Sequence, residues 1–406
     1  MTGRPDRARR ALVALCVTEI TSWGALYYAF PVVVSSVSRD TGWSNAVAMG
    51  AFSTGAVTAA LAGIVVGRLI DARGPRAVMT TGSVLGVLGT LAVAAAPNLP
   101  LFYAAWVLAG LAQAALLYPP AFAALTGWYG ARRVRALTTL TLVGGFASTV
   151  FAPLVATLLD HMSWRGVYVV LACVLGVVTL PLHAVFLKVP WPGRDRTDAG
   201  GAEAAGAERA AHARVVLRSR AFVVLSAAMA VGAFGMYAAT VNLVPLLTAR
   251  GLGTHLAAVG LGLCGAGQVL GRTFYVPIAR RTSPRARTVI VLVVAAGTVV
   301  VLGVLPGPVA VLLGVAVLAG AARGVYTLLQ ATAVSDRWGT AAFGRVNGVF
   351  AAPITAVTAL APGGGALVAD LAGGYPAAYT ALAVLTIVGA AAAATTAVRQ
   401  PQPVSR

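Results

Sequence analysis

Long apolar segments, separated by short polar ones, follow one another along almost the whole chain. A helix needs about 20 apolar residues to cross a bilayer, and these segments reach or exceed that length. The pattern predicts twelve membrane-spanning helices, near residues 11–37, 45–66, 77–96, 100–127, 137–158, 165–187, 221–248, 255–279, 288–306, 309–335, 343–369 and 375–398. The segment 188–220 differs, because it is charged and contains Pro190 and Pro192, and it predicts a loop after the sixth helix.

The composition agrees with a protein that lies mostly in lipid. Of the 406 residues, 59% are hydrophobic and 10% are charged, which is too little charge to cover a soluble domain of this length. The expected fold class is an all-α integral membrane protein, and a soluble enzyme is disfavoured. The three cysteines, Cys16, Cys173 and Cys264, lie within apolar segments without metal-ligand spacing, so we expect small buried side chains and no metal site.

The placement of the basic residues predicts the orientation in the membrane. With the N-terminus in the cytoplasm, 25 of the 30 basic residues fall in cytoplasmic segments, and only Arg39, Arg165 and Arg250 fall in outer loops. Cytoplasmic segments of membrane proteins carry such an excess of Lys and Arg. The sequence thus predicts a multi-pass protein of a bacterial inner or plasma membrane, with both termini cytoplasmic. This placement also accounts for the net charge of +19 without a nucleic-acid partner.

The two halves of the chain repeat one another at an offset of 210 residues. The tetrapeptide VLAG at 107–110 returns at 317–320. Residues that return in the same register are Tyr27 as Tyr237, Gly55 as Gly265, Trp128 as Trp338, Arg135 as Arg345 and Asp160 as Asp370. An offset of six helices preserves orientation, so the repeat is parallel, as in transporters with a site between two six-helix halves. We expect an N-terminal half 1–187, a cytoplasmic linker 188–220 and a C-terminal half 221–406.

The loop after the second predicted helix combines glycines, an acid and basic residues. Gly67 precedes Asp71, which is followed by Arg73, Gly74 and Arg76. This segment resembles the loop between helices 2 and 3 of the major facilitator superfamily. It departs from the usual pattern at one position, because an alanine stands directly after the acid where the family has a basic residue. The resemblance implies the major facilitator fold, with two six-helix halves that rock about a central site.

Further segments are similar to the bacterial branch related to the monocarboxylate transporters. They are SWGALYYAFP at 22–31, GWS at 42–44, LYP at 117–119, WR at 164–165 and GRVNG at 344–348. These segments are spread over the whole chain. The resemblance implies a symporter or antiporter of a small solute.

Asp71 is the candidate for a conformational latch on the cytoplasmic side. A carboxylate at a helix end can bind the positive end of a neighbouring helix or pair with arginine. We expect Asp71 to meet the start of the eleventh helix near Arg345, and the alternative is a solvated loop acid. The residues assigned to the latch are Gly67, Asp71, Arg73, Gly74, Arg76 and Arg345.

Two arginines lie within predicted helices, where a charge costs roughly 2.5–3.5 kcal/mol on insertion scales. Arg323 is about 14 residues from the ends of the tenth helix and hence near the membrane midplane. Arg272 lies nine residues before Arg281, about 13 Å along a helix, so it either faces a cavity or extends to the cytoplasm. A guanidinium group pairs well with a carboxylate, so both arginines are predicted to bind an anionic substrate.

Gln268 precedes Arg272 by one helical turn and shares its helix face. The monocarboxylate transporters carry an Asp-x-x-x-Arg pair in helix 8, and this chain keeps the arginine but has glutamine in place of the acid. The resemblance assigns Gln268 and Arg272 to the substrate site. The substitution removes one protonatable group, so the proton step of the family does not transfer directly.

Glu19 is the acid that lies well inside a predicted span. It follows Arg10 by nine residues, about 13 Å along the first helix. A carboxyl group at that depth can take up and release a proton, so Glu19 is the candidate for proton coupling. The alternative is a structural pairing with a neighbouring arginine.

Aromatic and polar residues at similar depth complete the predicted cavity. They are Trp23, Tyr27, Tyr28, Tyr118, Asn242, Tyr326 and Gln330. They lie on helices 1, 4, 7 and 10, which line the cavity in the superfamily. For each of them, packing between helices is the alternative.

The sequence as a whole predicts a secondary transporter of a small organic anion such as a carboxylate, working by alternating access with proton coupling or by exchange. Two alternatives remain, a proton-driven efflux carrier for drugs or metabolites and a transporter-like receptor or scaffold without flux. The chain has no ATP-binding loop, so we expect no nucleotide, cofactor or enzymatic activity. The expected partners are the lipid bilayer, a small-molecule substrate and protons.

Overall fold

The structure, a computed structural model, describes residues 3–191 and 199–396. The helices are α1 Gly3–Trp23, α2 Ala29–Thr41, α3 Asn45–Arg73, α4 Pro75–Ala95, α5 Leu99–Leu116, α6 Tyr118–Tyr129, α7 Arg133–Gly144, α8 Ala147–His161, α9 Trp164–Val174, α10 Leu180–Phe186, α11 Ala199–Arg218, α12 Arg220–Val241, α13 Leu243–Ala249, α14 Thr254–Thr273, α15 Tyr275–Arg281, α16 Pro284–Val304, α17 Val309–Trp338, α18 Phe343–Ala372 and α19 Tyr375–Ala394. The predicted loop residue Pro192 and the predicted cytoplasmic residues Arg399 and Arg406 lie outside the described residues.

Two of the long helices contain a π-helical turn, which is a local widening of the α-helix. The turn Gly24–Tyr28 joins α1 to α2, and the turn Leu175–Thr179 joins α9 to α10. A 3₁₀ turn, Gly130–Arg132, connects α6 to α7. The predicted first and sixth helices are therefore continuous but locally irregular, and the irregular turn of the first one carries Tyr27 and Tyr28.

The described residues contain helices and no strand, and helical segments occur at each of the twelve predicted positions. Ten helical stretches in the described part are long and apolar enough to cross a membrane. One of them, Leu99–His161, is 63 residues long and contains the predicted fourth and fifth helices, whereas α14 and α15, at the predicted eighth position, are not among the ten. The all-α membrane class is confirmed, and the number twelve stays a prediction.

The predicted linker loop 188–220 is wrong in one respect, because most of it forms the helix α11. The prolines that favoured a loop stand at its beginning, before the helix starts. The segment that follows is rich in alanine, the residue with the highest helix propensity, and its charges do not oppose a helix in contact with water.

Five helices begin at a serine or asparagine whose side chain accepts a hydrogen bond from a backbone N–H in the first turn. The capping residues are Ser44, Asn98, Ser163, Ser219 and Ser283, with N···O distances of 3.1–3.3 Å. Such a cap satisfies one of the N–H groups that a helix start leaves without an intrahelical partner. The caps therefore fix where these helices begin.

Contacts divide the chain into two units. The first comprises residues 1–213 and 340–352, and the second comprises residues 214–339 and 353–406. The helix α18 begins in the first unit and continues in the second. The segment 340–352, which the sequence assigned to the C-terminal half, thus makes its contacts with the first unit.

Each unit has its own apolar core. In the first unit an aromatic group lies at the centre, with Phe30 stacked on Phe52 at 5.3 Å between ring centroids and Trp106 edge-on to both. In the second unit the core is mostly aliphatic and includes Leu246, Leu312 and Leu382. Tyr379 is fully buried there, and its hydroxyl donates to the carbonyl oxygen of Ala239.

A seam of glycines brings α14 and α17 into backbone contact within the second unit. Gly267 and Gly271 on α14 face the carbonyl groups of α17, and Gly320 and Gly324 on α17 face those of α14. A Cβ atom at any of these four positions would collide with the facing backbone. Small residues at four-residue spacing allow this close approach in membrane helices. The seam therefore fixes the two helices that carry Arg272 and Arg323.

We predict that Gly271→Val destabilises the second unit. The added side chain meets the backbone of Ala321, which cannot move without separating the helices, and overpacking of this kind costs about 1–3 kcal/mol. Thermal unfolding of the purified protein in detergent should show a midpoint several degrees below that of the wild type. The matched control is Gly262→Val on the same helix, where a Cβ meets open space. Equal midpoints for the two variants would contradict the role of the seam.

Candidate functional site

The carboxylate of Asp71 binds the first turn of α18. Its Oδ1 accepts a hydrogen bond from the backbone N–H of Gly344 at 2.8 Å, and its Oδ2 accepts one from the N–H of Arg345 at 2.7 Å. A helix start has unpaired N–H groups and a partial positive charge, so a carboxylate is a favourable partner there. The contact is the one that the sequence predicted near Arg345, and its role as a latch stays a prediction.

The close approach of α3 and α18 depends on glycine on both helices. A Cβ at Gly67 would collide with the carbonyl group of Gly344, and one at Gly344 would meet the backbone of Gly67 and the carboxylate of Asp71. One turn later on α18, Gly348 packs on the backbone of Gly63, which lies one turn before Gly67 on α3. Larger side chains here would move α18 out of hydrogen-bonding range of Asp71, so Gly67 contributes space to the contact.

Two residues that the sequence analysis did not assign to the latch hold Asp71 from its other side. The indole Nε1 of Trp191 and a guanidinium N–H of Arg209 on α11 each donate to the backbone carbonyl of Asp71, both at 3.3 Å. The ring of Trp191 also lies against Gly74, which ends α3 with a φ of +79°. The linker thus contacts the candidate latch residue at two points.

The remaining arginines of the predicted latch have other surroundings. Arg73 and Arg76 are exposed, and the Nε of Arg76 donates to the carbonyl oxygen of Ala184 at 2.8 Å. Arg345 takes part through its backbone N–H, while its side chain is half-buried. The described hydrogen bonds to Asp71 therefore come from backbone amides and from the linker.

Glu19 on α1 is fully buried. The indole of Trp23, one turn further along, lies near the carboxyl group but does not reach either of its oxygens with hydrogen-bond geometry. The preceding residue, Thr18, has its hydroxyl 3.0 Å from Nε2 of His183, whose Nδ1 lies 2.8 Å from the hydroxyl of Ser83. Glu19 is thus a buried carboxyl group that directly follows, in the sequence, a member of a buried polar cluster.

The predicted aromatic residues of the first unit come together. Trp23 lies 5.2 Å from Tyr27, 6.0 Å from Tyr28 and 5.0 Å from Tyr118, measured between ring centroids. All four side chains are half-buried. Tyr27 and Tyr28 belong to the π-helical turn, and Tyr118 begins α6 directly after the break at Leu117. These breaks turn aromatic side chains from two helices towards one another.

In the second unit, the guanidinium carbon of Arg323 lies 4.3 Å from the centroid of the Tyr237 ring, over its face. Both side chains are half-buried. Tyr326 is fully buried, and its hydroxyl donates to the carbonyl oxygen of Met229 at 2.6 Å. Gln330, one turn beyond Tyr326, is half-buried. Among the substrate residues predicted on α17, Arg323 therefore carries a half-buried positive charge that lies against an aromatic ring.

The other predicted substrate residues of the second unit differ in burial. Arg272 is only 2% exposed, which argues against a side chain extended into the cytoplasm. Gln268, one turn earlier on α14, is half-buried, and its backbone carbonyl faces Gly324. Asn242 is buried between α12 and α13, where its amide donates to the carbonyl oxygens of Ala238 at 2.9 Å and Pro362 at 3.5 Å. The binding roles of these residues stay predictions.

Two further arginines that the sequence placed in cytoplasmic segments are buried in the second unit. Arg287 donates to the Oδ2 of Asp336 at 2.5 Å, and Arg337 donates to the hydroxyl of Thr288 at 2.7 Å. Their exposed fractions are 3% and 5%.

Over residues 3–191 and 199–396, no group of three or more His, Cys, Asp or Glu side chains that could hold a metal ion occurs.

These features define an all-helical protein of many membrane spans, with buried charges and a carboxylate bound to a helix start. The family profile described as Major Facilitator Superfamily matches residues 15–352. The chain belongs to the Major Facilitator Superfamily.

Curated relatives and solved structures give a consistent picture. The chain is 30% identical to human monocarboxylate transporter 11 over 283 residues, which are 66% of this chain and 56% of the human protein. It is 37% identical to rat monocarboxylate transporter 13 over 113 residues, 28% of this chain and 25% of the rat protein. The chain thus matches little more than half the length of the first of these relatives.

Two solved transporters share the fold. The E. coli fucose:proton symporter FucP has a TM-score of 0.67 at 16% identity, covering 95% of this chain and 98% of its own. The proton:xylose symporter XylE has a TM-score of 0.73 at 11% identity, covering 96% of this chain and 95% of its own. The predicted major facilitator fold is confirmed.

We predict that Asp71→Asn speeds amide exchange at the start of α18. An uncharged amide offers one acceptor oxygen where the carboxylate offers two, and hydrogen bonds to charged groups contribute about 1.5–3 kcal/mol. Hydrogen–deuterium exchange read by mass spectrometry should therefore be about tenfold faster in peptides that contain Gly344 and Arg345. Asp370→Asn, at an exposed acid near the end of the same helix, is the control. Unchanged exchange in Asp71→Asn would contradict the contact.

Proposed function

We propose that the protein is a secondary transporter that moves a small organic anion, a carboxylate in the first instance, by alternating access. The observation that carries this proposal is the guanidinium group of Arg323, held over Tyr237 in the middle of α17. An ionisable group at membrane depth is costly to insert, so its retention favours a functional role. The similarity to monocarboxylate transporters 11 and 13 supports the same substrate class.

The charge balance of the second unit also favours an anion. Its acidic residues are Asp336 and Asp370, and Asp336 forms an ion pair with Arg287. Arg272 and Arg323 add two positive charges on the helices that the glycine seam joins. A cationic drug would meet repulsion in this environment, so the anion carrier is preferred over the efflux alternative.

Glu19 is the proposed coupling residue. It is a fully buried carboxyl group, whose gain or loss of a proton changes the charge of the first unit at that point. Coupling of this kind lets a proton gradient drive accumulation of the substrate. Transport by exchange does not need it, so the two modes can be separated by experiment.

The orientation follows from the positive residues at the cytoplasmic ends of the helices. We place both termini in the cytoplasm of a bacterial cell. Asp71 and the start of α18 then lie on the cytoplasmic side, where their contact stabilises a state closed to the cytoplasm. Release of α18 from Asp71 accompanies opening to that side.

The central test is counterflow of labelled pyruvate, lactate and benzoate in proteoliposomes. The wild type should exchange at least one of the three, and Arg323→Gln should lose exchange, because it removes the positive charge and keeps an uncharged polar side chain. Arg285→Gln, which removes an exposed arginine of the same unit, is the matched control. A wild type that exchanges none of these anions, or an Arg323→Gln variant with normal exchange, would sink the anion-carrier proposal.

The same vesicles test coupling. Glu19→Gln should retain counterflow but lose accumulation driven by a pH gradient, because a neutral amide cannot carry the proton. Glu208→Gln, at an exposed acid of the same unit, should retain both. Gradient-driven accumulation at the wild-type level in Glu19→Gln would assign coupling to another group.

For the latch, Asp71→Asn should lower the counterflow rate several-fold while membrane expression stays at the wild-type level. The weakened contact with α18 shifts the population away from the closed state, and cycling between states slows. Initial rates normalised to the amount of inserted protein give the measurement. Wild-type rates in this variant would reduce the contact to a structural one.

A further inference from the structure

Tyr237 of α12 contacts the guanidinium group of Arg323 through its aromatic ring. No prediction from the sequence gave Tyr237 a role. The guanidinium carbon of Arg323 lies over the face of the Tyr237 ring, 4.3 Å from the ring centroid. A cation over an aromatic face is attracted by the negative charge of that face. The ring therefore restricts both the position of the cation and the directions from which an anion can reach its N–H groups.

The backbone that carries Arg323 is itself fixed. The next residue, Gly324, packs directly on the backbone of Gln268, and Gly320 packs on that of Cys264. Rotation or sliding of α17 would bring larger side chains into the places that these glycines occupy against α14. The position of the guanidinium group then depends on the side-chain torsions of Arg323, and the ring of Tyr237 is in contact with that group.

The equivalent positions of the first unit show what this pair adds. In the 210-residue register, Tyr237 corresponds to Tyr27 and Arg323 to Gln113. Gln113 is buried, and its amide donates to the carbonyl oxygen of Leu26 at 2.9 Å. Tyr27 packs against the aromatic rings of its own cluster. In the first unit these positions thus hold a buried glutamine bound to a backbone carbonyl and a tyrosine in contact with aromatic rings, whereas the second places a half-buried cation on the tyrosine ring.

We propose that Tyr237 is a positioning residue that sets the plane of the Arg323 guanidinium, and that this plane determines a preference for planar carboxylates over anions of other shape. The inference rests on the proposed function, in which Arg323 binds the substrate anion. Guanidinium N–H donors lie in one plane and match the two oxygens of a carboxylate. A guanidinium group that turns freely would still attract anions but would discriminate less by their shape.

The test compares acetate with methanesulfonate as competitors of counterflow, using whichever of labelled pyruvate, lactate or benzoate the wild type exchanges fastest. Both competitors are monovalent anions with one methyl group, and they differ in that the carboxylate is planar and the sulfonate is not. The measured quantity is the ratio of their inhibition constants, together with the KM and Vmax of the labelled anion.

Tyr237→Leu should raise the KM about tenfold, leave the Vmax within about twofold, and bring the ratio of inhibition constants close to one. Tyr237→Phe retains the ring and should behave as the wild type within about twofold. Phe274→Leu, which removes an exposed aromatic side chain of the same unit, is the control. Arg323→Lys keeps the charge but not the planar donor set, so it should also bring the ratio of inhibition constants close to one. Adding Tyr237→Leu to this variant should change the ratio little.

The outcomes separate this inference from the proposed function. Shape selectivity that survives in Tyr237→Leu, or a Tyr237→Phe variant that loses it, overturns the positioning role and leaves the carrier proposal intact. If Tyr237→Leu does not fold, selectivity that survives in Arg323→Lys overturns the inference. A wild type that exchanges none of the three labelled anions overturns both.

Discussion

In a bilayer, the backbone has no water with which to form hydrogen bonds. The helices of this chain and the close contacts between them follow from that constraint. Each N–H and C=O group in the lipid must find its partner within its own helix. Because lipid is as apolar as the helix surfaces, helices gain little from simply meeting, and close backbone contact has to supply the attraction. The glycines of α14 and α17 provide that contact in the second unit, and those of α3 and α18 provide it in the first. Both contacts lie beside residues that carry charge.

The same constraint explains how the charges are distributed. Most of the positive charge lies in segments outside the apolar stretches, where water solvates it. Buried arginines have specific hydrogen-bond partners. Arg287 donates to Asp336, and Arg337 donates to Thr288 and to the carbonyl oxygen of Pro284. Asp71 is satisfied by two backbone amides at a helix start. The guanidinium group of Arg323 has a contact of another kind, with the face of the Tyr237 ring, which attracts a cation without carrying a negative charge.

The helical architecture was predictable because apolar length and charge placement are properties of the sequence itself. The contact between Asp71 and the start of α18 was also predictable, because a motif in the loop marked the residue. The helix α11 was missed where two prolines at the start of the segment outweighed the alanines that follow. The partners of Asp71 in the linker, Trp191 and Arg209, are more than a hundred residues away in sequence and belong to no repeated pattern. Contacts of that kind depend on packing, which periodicity does not encode.

Tyr237 lies between these cases, and the internal repeat explains why. The register relates it to Tyr27, which the sequence assigned to the substrate cavity, but that assignment was not extended to Tyr237. At the level of the backbone the two units do behave alike, since Gly110 packs on the carbonyl of Gly55 in the first unit and Gly320 packs on that of Cys264 at nearly the same register in the second. The duplicated feature is thus the close approach of helices, which any change at glycine would disturb. Side chains beside the seam are free to differ without cost to that contact. A glutamine bound to its neighbour's backbone in one unit and an arginine over a tyrosine ring in the other are consistent with this freedom, and the substrate chemistry is expected where the repeat is broken.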